Sequence, residues 1–414
     1  MKRLWAAAIA AILVLIAAAS AKGEPVTCTA VAAPRADLRA RALYCAIDAG
    51  SSNVKLQILS LAAGEPLSFR NERQCRARLS LGTKTFDTKT KTPRALGDTD
   101  VEALVATVRE MQKICADDGG ALVGAHATQW ARDATNIDAV TARLSAATGL
   151  TLEVLTPEQE GIYGYAAATR NAPGRIALDP GSNSFQIAFW PKGTAAPRTI
   201  SVPFGYVRAA AQFYAADADT GYEISRREHA RELGATIRAA LAALAPPADL
   251  AELRRAVSAG ALERRLFVAG QDGSLHLAMR GRLREAPGRW IAAKPAYDAR
   301  VGTTRPIATR RYGEITTVLT RAEVRRWFRR IVGTADYVAL RSDPARSLYG
   351  EKALANAVLM DVLMSELGLD AAVIVPQEMP AGFILAKVSA EEQLRAASAV
   401  GSRKSAGSSP TRSR

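Results

Sequence analysis

Two short stretches carry the residue types from which a phosphate site could be built: Ile47-Asp-Ala-Gly-Ser-Ser-Asn53 and Leu178-Asp-Pro-Gly-Ser-Asn-Ser184. In each, glycine lets the backbone approach an anion, and successive N–H groups with a serine hydroxyl can point into one concavity. Gly50, Ser51, Ser52 and Asn53 offer these groups in the first copy, and Gly181, Ser182, Asn183 and Ser184 in the second. Asp48 and Asp179 cannot hold phosphate directly, because like charges repel. They can hold the cation that does, usually Mg²⁺ through water. Either stretch alone reads better as an ordinary hairpin turn, since Asp, Gly and Ser are common turn residues. The repetition in one strand context favours the phosphate reading.

That context is a pair of strands around each turn. Apolar runs precede the aspartates (Ala42 to Ile47, Gly174 to Leu178) and follow the serines (Val54 to Leu59, Phe185 to Trp190). Two such hairpins facing one another would clamp a phosphoryl group from both sides. Each half continues the pattern: a third strand-like run (Leu67 to Leu79, Arg198 to Pro203), then strand–helix units. Helical periodicity is expected over Val101–Cys115, from Asn136 to Thr148, after the Thr156-Pro157 cap, and over Tyr206–Ala216, Ser225–Leu244, Arg321–Ile331 and Tyr349–Leu367. Short strands are expected at Ala121–Ala127, Leu152–Leu155, Arg265–Gly270 and Ala372–Val375, and a last helix over Gly382–Leu394. The polar run Leu81–Thr92 reads as a loop. The fold class is therefore α/β, with a duplicated domain and a cleft between the copies.

Further residues fall into a recognisable order. Asp48–Asn53, Ala127-Thr-Gln-Trp-Ala-Arg-Asp-Ala-Thr-Asn136, Glu158-Gln-Glu-Gly161 and Asp179–Gln186 together resemble the Ppx/GppA phosphatases. These are exopolyphosphatases and guanosine pentaphosphate phosphohydrolases of the actin-like, ribonuclease H-like superfamily. The resemblance covers about residues 42–390. It implies actin-like domain I over 42–165 and domain II over 166–392. It also implies Glu160 as general base toward water, Arg132 as neutraliser of developing negative charge, the two hairpins as phosphoryl cradle, and Asp48 and Asp179 as holders of Mg²⁺ or another divalent cation. Read as residues alone, Glu158 and Glu160 are acids that a helix N-terminus favours, Arg132 is a surface or capping arginine, and His126 is a structural histidine.

The chain also departs from that family. The second hairpin, usually Asp-x-Gly-Gly-Gly-Ser-Thr-Glu, is here Asp179-Pro-Gly-Ser-Asn-Ser-Phe-Gln186. Asn183 tolerates positive φ in place of a lost glycine, and Pro180 removes an N–H. Gln129 stands where Ser or Glu is common, and Met379-Pro-Ala-Gly-Phe383 lacks an Arg-Glu-Gly. Glu160-Gly-Ile-Tyr-Gly-Tyr165 and Gln186-Ile-Ala-Phe189 are similar to the apyrases, in which Gln and Ser help position the attacking water. Gln186 thereby joins the catalytic candidates. The expected function is hydrolysis of terminal phosphate from polyphosphate or guanosine pentaphosphate. Nucleoside tri- or diphosphate hydrolysis and phosphate binding without turnover are the alternatives.

Composition bounds the setting. The 414 residues suffice for two cored domains, with 48% hydrophobic and 23% charged residues arguing against disorder. Met1-Lys-Arg, an apolar run from Leu4 and Ala19-Ser-Ala21 form a signal-peptide pattern over 1–21, so export to a periplasm is expected, with no membrane span after its removal. An irregular leader over 22–41 and a disordered basic tail over 393–414 are expected to flank the domains. Four cysteines (Cys28, Cys45, Cys75, Cys115) allow two disulfides in three pairings, with a buried free thiol equally open for Cys45. The net charge of +15 points to an anionic partner, polyphosphate or nucleotide, with no sign of specific nucleic-acid recognition. A homodimer is compatible with the sequence. The arginine-dense 280–330 segment reads either as a solvated face or as a track for a polyanion.

Overall fold

Apolar runs broken by Asp-x-Gly-Ser turns form the paired strands expected of them. A computed structural model describes residues 25–30, 42–62, 65–87, 90, 92–205, 226–244, 247–269, 317–326, 347–375 and 377–388. The signal-peptide pattern, the Tyr206–Ala216 helix, most of the arginine-dense segment and the basic tail lie outside the described residues.

The first half holds β1 (Thr27–Ala30), β2 (Ala42–Ala49), β3 (Asn53–Ala62), β4 (Glu65–Arg78), the small β5–β6 pair (Phe86–Asp87, Thr92–Pro93), β7 (Ala121–Ala127) and β8 (Leu152–Val154). Its helices are α1 (Leu81–Thr85), α2 (Asp98–Asp117), α3 (Gln129–Asp133), α4 (Ile137–Thr148) and α5 (Pro157–Thr169). There follow β9 (Arg175–Pro180), β10 (Phe185–Trp190), β11 (Arg198–Val202), α6 (Arg226–Leu244), α7 (Pro247–Ser258), β12 (Arg265–Val268), β13 (Thr317–Thr320), α8 (321–326), α9 (Ser347–Glu366), β14 (Ala371–Ile374) and α10 (379–388).

The strands make two six-stranded sheets, β1-β4-β3-β2-β7-β8 and β11-β10-β9-β12-β14-β13. In both, an antiparallel meander is extended from its first strand by two parallel strands: β7 and β8 beside β2, β12 and β14 beside β9. The duplication legible in the turns is thus a duplication of topology. Each sheet also gains one edge strand of its own, β1 in the first and β13 in the second.

Both faces of each sheet are covered. Val101, Leu104, Val108 and Met111 of α2 and Leu144 of α4 pack on the first sheet. Leu233, Ile237 and Leu241 of α6, with Val358 and Val362 of α9, pack on the second. The opposite faces are covered by exchange. From the first half, α5 lays Tyr165 and Ala168 against Ala177, Ala188 and Phe267 of the second sheet. From the end of the chain, α10 lays Phe383, Ile384 and Val388 against Ala46, Leu59 and Phe69 of the first. Tyr163 and Phe383 meet edge to face where these two helices touch.

Three expectations need correction. Residues 27–30 of the irregular leader form β1, which pairs antiparallel with β4 and brings Cys28 opposite Cys75. The stretch Leu81–Thr92 is not simply a loop: it contains α1 and the β5–β6 pair, because Gly82 N–H donates to Ser51 O and Ser80 N–H to Ser52 O, fixing the chain against the first turn. Cys45 is no free thiol; it is bonded to Cys115, and Cys28 to Cys75. The Cys45–Cys115 link closes 70 residues of chain and should stabilise the fold by about 4 kcal/mol. Replacing both cysteines with alanine should lower the thermal midpoint by several degrees in calorimetry; an unchanged midpoint would show the link to be energetically idle.

Candidate active site

The two hairpins meet at one cleft. It is lined by Asp48, Gly50, Ser51, Ser52 and Asn53 from the first turn and by Asp179, Gly181, Ser182, Asn183, Ser184 and Gln186 from the second, with Glu160 between them. Ser52 Oγ donates to Ser182 Oγ at 2.9 Å, so the turns touch across the cleft. Neither Gly50 nor Gly181 has positive φ, nor does Asn183. The glycines are needed for room instead. A Cβ at Gly50 would lie 2.9 Å from Asn53 O, and one at Gly181 would lie 2.5 Å from Ser184 O. The second turn therefore closes without the left-handed asparagine that its sequence suggests.

Glu160 is a tightly held carboxylate in the cleft. Thr156 caps α5 in a reciprocal box with Gln159, with Pro157 at the first position, which fixes the helix start and hence Glu160 one turn in. The Glu160 side chain is buried and receives two donors: Arg132 Nη1 to Oε1 at 2.6 Å and Gln186 Nε2 to Oε2 at 3.0 Å. Gln186 Nε2 also lies 3.0 Å from Ser184 Oγ and 3.3 Å from Ser201 Oγ. Arg132 does not line the cleft. Its guanidinium is spent on Glu160, on Leu155 O and on Gln129 Oε1 at 2.8 Å. Gln129, the substituted position, thus braces the arginine that braces the glutamate. Trp130, fully buried on α3, donates its indole N–H to Ala49 O and ties that helix to the first turn.

Burial pushes the Glu160 carboxyl up to about 7, against the pull of the Arg132 charge and with further upward pressure from Asp179 and Asp48. A carboxyl held near neutrality suits a general base. The same shift has a stability consequence. The folded value lies above the unfolded one, so the stability this group contributes is full at low pH and is lost as pH rises from about 4.5 through about 7. Glu160→Gln should therefore raise the unfolding free energy at pH 8 by on the order of 2 kcal/mol, and the thermal midpoint with it, and change both little at pH 4. A midpoint that falls at both pH values would mean the carboxylate is needed for folding.

The first hairpin holds groups that the sequence did not flag. Lys55, opposite Asp48 on β3, lines the cleft with Nζ 3.4 Å from Asp48 Oδ2 and 2.8 Å from Glu378 Oε2. Glu378, just before α10, also takes Arg76 Nη2 at 3.3 Å. Burial works against the Lys55 charge, but Glu378 and Asp48 outweigh it and hold its ammonium well above the ordinary lysine range. Lys55 was discoverable from strand alternation, which puts it on the face of Asp48; Glu378 was not, lying 323 positions away in a stretch defined by its departures. His126, read as structural, is fully buried against Phe383, with Nε2 3.5 Å from Asp48 Oδ1. Burial lowers its pKa, keeping it neutral.

A divalent cation fits this donor set. Asp48 Oδ1 is buried without a hydrogen-bond partner among the described residues and belongs to a side chain facing the cleft. No group of three or more His, Cys, Asp or Glu side chains among the described residues forms a metal cage. Two facing aspartates without a cage are what Mg²⁺ uses when substrate phosphates and water complete its octahedron.

Fold and site together define a class: an α/β chain of duplicated actin-like domains around a polar, glycine-turned cleft. The model of the Ppx/GppA phosphatase family matches residues 70–261 of this chain. Solved structures agree on the fold. The Aquifex aeolicus member of the Ppx/GppA family is 19% identical with a TM-score of 0.58, over 85% of this chain and 99% of that one. An exopolyphosphatase from Cytophaga hutchinsonii is 15% identical with a TM-score of 0.55, over 82% of this chain and 96% of that one. No curated protein matches the chain by sequence.

Proposed function

We propose that the chain is an exported phosphohydrolase that releases terminal phosphate from inorganic polyphosphate or guanosine pentaphosphate, with Glu160 as general base. The observation that carries this reading is a buried carboxyl, raised to about 7, in the same cleft as two phosphate-type turns. The N–H groups and hydroxyls of Ser51, Ser52, Ser182, Asn183 and Ser184 hold the terminal phosphoryl, while the N–H groups of Gly50 and Gly181 close their own turns on Asn53 O and Asp179 O. A water beside Glu160 attacks phosphorus and gives its proton to the carboxylate, while the bridging P–O bond breaks and leaves the shortened chain with the electron pair. Such a transfer asks mainly for positioning and charge neutralisation. Gln186 and Ser184 orient the water; Arg132 acts through Glu160 by holding its carboxylate in place. Asp48 and Asp179 would hold Mg²⁺, which supplies charge neutralisation at the phosphate oxygens.

Export is supported by the basic–apolar–small pattern of residues 1–21 and by two disulfides, which persist in oxidising compartments. Among the described residues no helix is long and apolar enough to cross a membrane. The Gln186–Glu160 and Gln186–Ser184 contacts also favour a second substrate class, nucleoside tri- and diphosphates, for which a water held by Gln and Ser suffices. Phosphate release from long-chain polyphosphate, guanosine pentaphosphate, ATP and ADP separates the two. Preference for the first pair supports the main reading, preference for ATP and ADP replaces it with the second, and release from none of the four contradicts both.

A further inference from the structure

The cleft-lining residues Asp48 and Lys55, and Asp179 and Gln186, begin two rows in matching register. Asp48, Lys55 and Arg76 lie side by side across β2, β3 and β4, and Asp179, Gln186 and Ser201 across β9, β10 and β11. Each row receives one carboxylate from the start of a helix contributed by another part of the chain. Glu160 of α5 meets Gln186, and Glu378, preceding α10, meets Lys55 and Arg76. Glu378 is thus placed toward the first hairpin as Glu160 is toward the second. Their surroundings set them apart. Glu160 faces a neutral amide and one arginine; Glu378 faces two cations at 2.8 and 3.3 Å.

We infer that Glu378 is a built-in substitute for a substrate phosphate, occupying Lys55 and Arg76 until a condensed phosphate displaces it, and so setting how tightly such substrates bind. The inference rests on the phosphohydrolase reading. Its physical ground is charge pairing: Lys55 lies between Asp48 and Glu378, and Glu378 also takes Arg76, although both Lys55 and Glu378 line the cleft. A polyanion entering beside the first turn therefore meets a cation already paired. To reach Lys55 it takes over Glu378's place, since the other side of Lys55 is held by Asp48, which is assigned to the cation. Glu378 and a phosphate oxygen are alternative anions for the same ammonium and guanidinium.

The test is calorimetric binding of inorganic triphosphate with Mg²⁺, in the Glu160→Gln background to prevent turnover. Adding Glu378→Gln, which keeps the side-chain shape, should tighten binding about tenfold by removing the competing anion, and Glu378→Ala should act in the same direction. Adding Lys55→Gln to the Glu378→Gln protein should abolish the gain. If triphosphate binds the Glu160→Gln protein but Glu378→Gln leaves affinity unchanged or weakens it, Glu378 is a support that aims Lys55 and the inference is wrong while the phosphohydrolase reading stands. If triphosphate binds none of these proteins, both fall.

Discussion

Glu160→Gln should lower turnover of polyphosphate by a factor of about 10³ to 10⁴ while leaving its affinity within a few-fold. The substitution keeps the volume and the polar contacts at a buried site: one amide oxygen can still accept from Arg132, whose guanidinium otherwise keeps Leu155 O and Gln129. What it removes is a buried carboxylate in the cleft that touches both an arginine and the Gln186 amide. The phosphoryl cradle is built from backbone and hydroxyl groups of other residues, so binding should survive. Steady-state phosphate release with a parallel binding titration separates the two effects. Turnover within about tenfold of the unaltered protein would remove Glu160 as the base.

Gly382→Ala should be among the most damaging single changes in the chain, although Gly382 binds nothing. A Cβ there would stand 1.8 Å from Tyr163 O and 2.6 Å from Tyr163 C, backbone atoms that no rotamer change can move. The two helices that touch at this point, α5 and α10, are those that begin beside Glu160 and Glu378. Forcing them apart should cost about 3 kcal/mol or more and lower the thermal midpoint by roughly 5–10 °C, with activity falling as well because both carboxylates shift. Gly97→Ala is the control: its Cβ would meet Asp100 Oδ2 at an ordinary 3.6 Å, and it should cost no more than about 1 kcal/mol. Equal stability of the two variants would mean that the α5–α10 contact yields freely.

The meanders and their turns were legible because strand alternation and a repeated Asp-x-Gly-Ser signal agreed at two places. The same logic failed where structure depends on distant partners. Residues 27–30 are too short and polar to announce a strand and are held by β4 and by Cys28–Cys75. Gly82, Thr83 and Thr85 are poor helix formers, yet α1 forms because the first turn accepts its N–H groups. Glu160 was separable from other acids at helix starts only through its company of motifs, whereas its burial and its two donors are tertiary facts. Lys55 and Glu378 show the limit most plainly. A lysine in an alternating strand looks solvated until the chain returns more than three hundred residues later with its counter-ion.

The decisive measurement is kcat/KM for phosphate release from long-chain polyphosphate, with Mg²⁺, from about pH 5 to about pH 9. A buried Glu160 base with its carboxyl raised to about 7 requires a rate that climbs about tenfold per pH unit on the acid side, levels near that value, and loses the climb in Glu160→Gln. A flat profile, or the same climb in the variant, would show that the proton of the attacking water goes elsewhere.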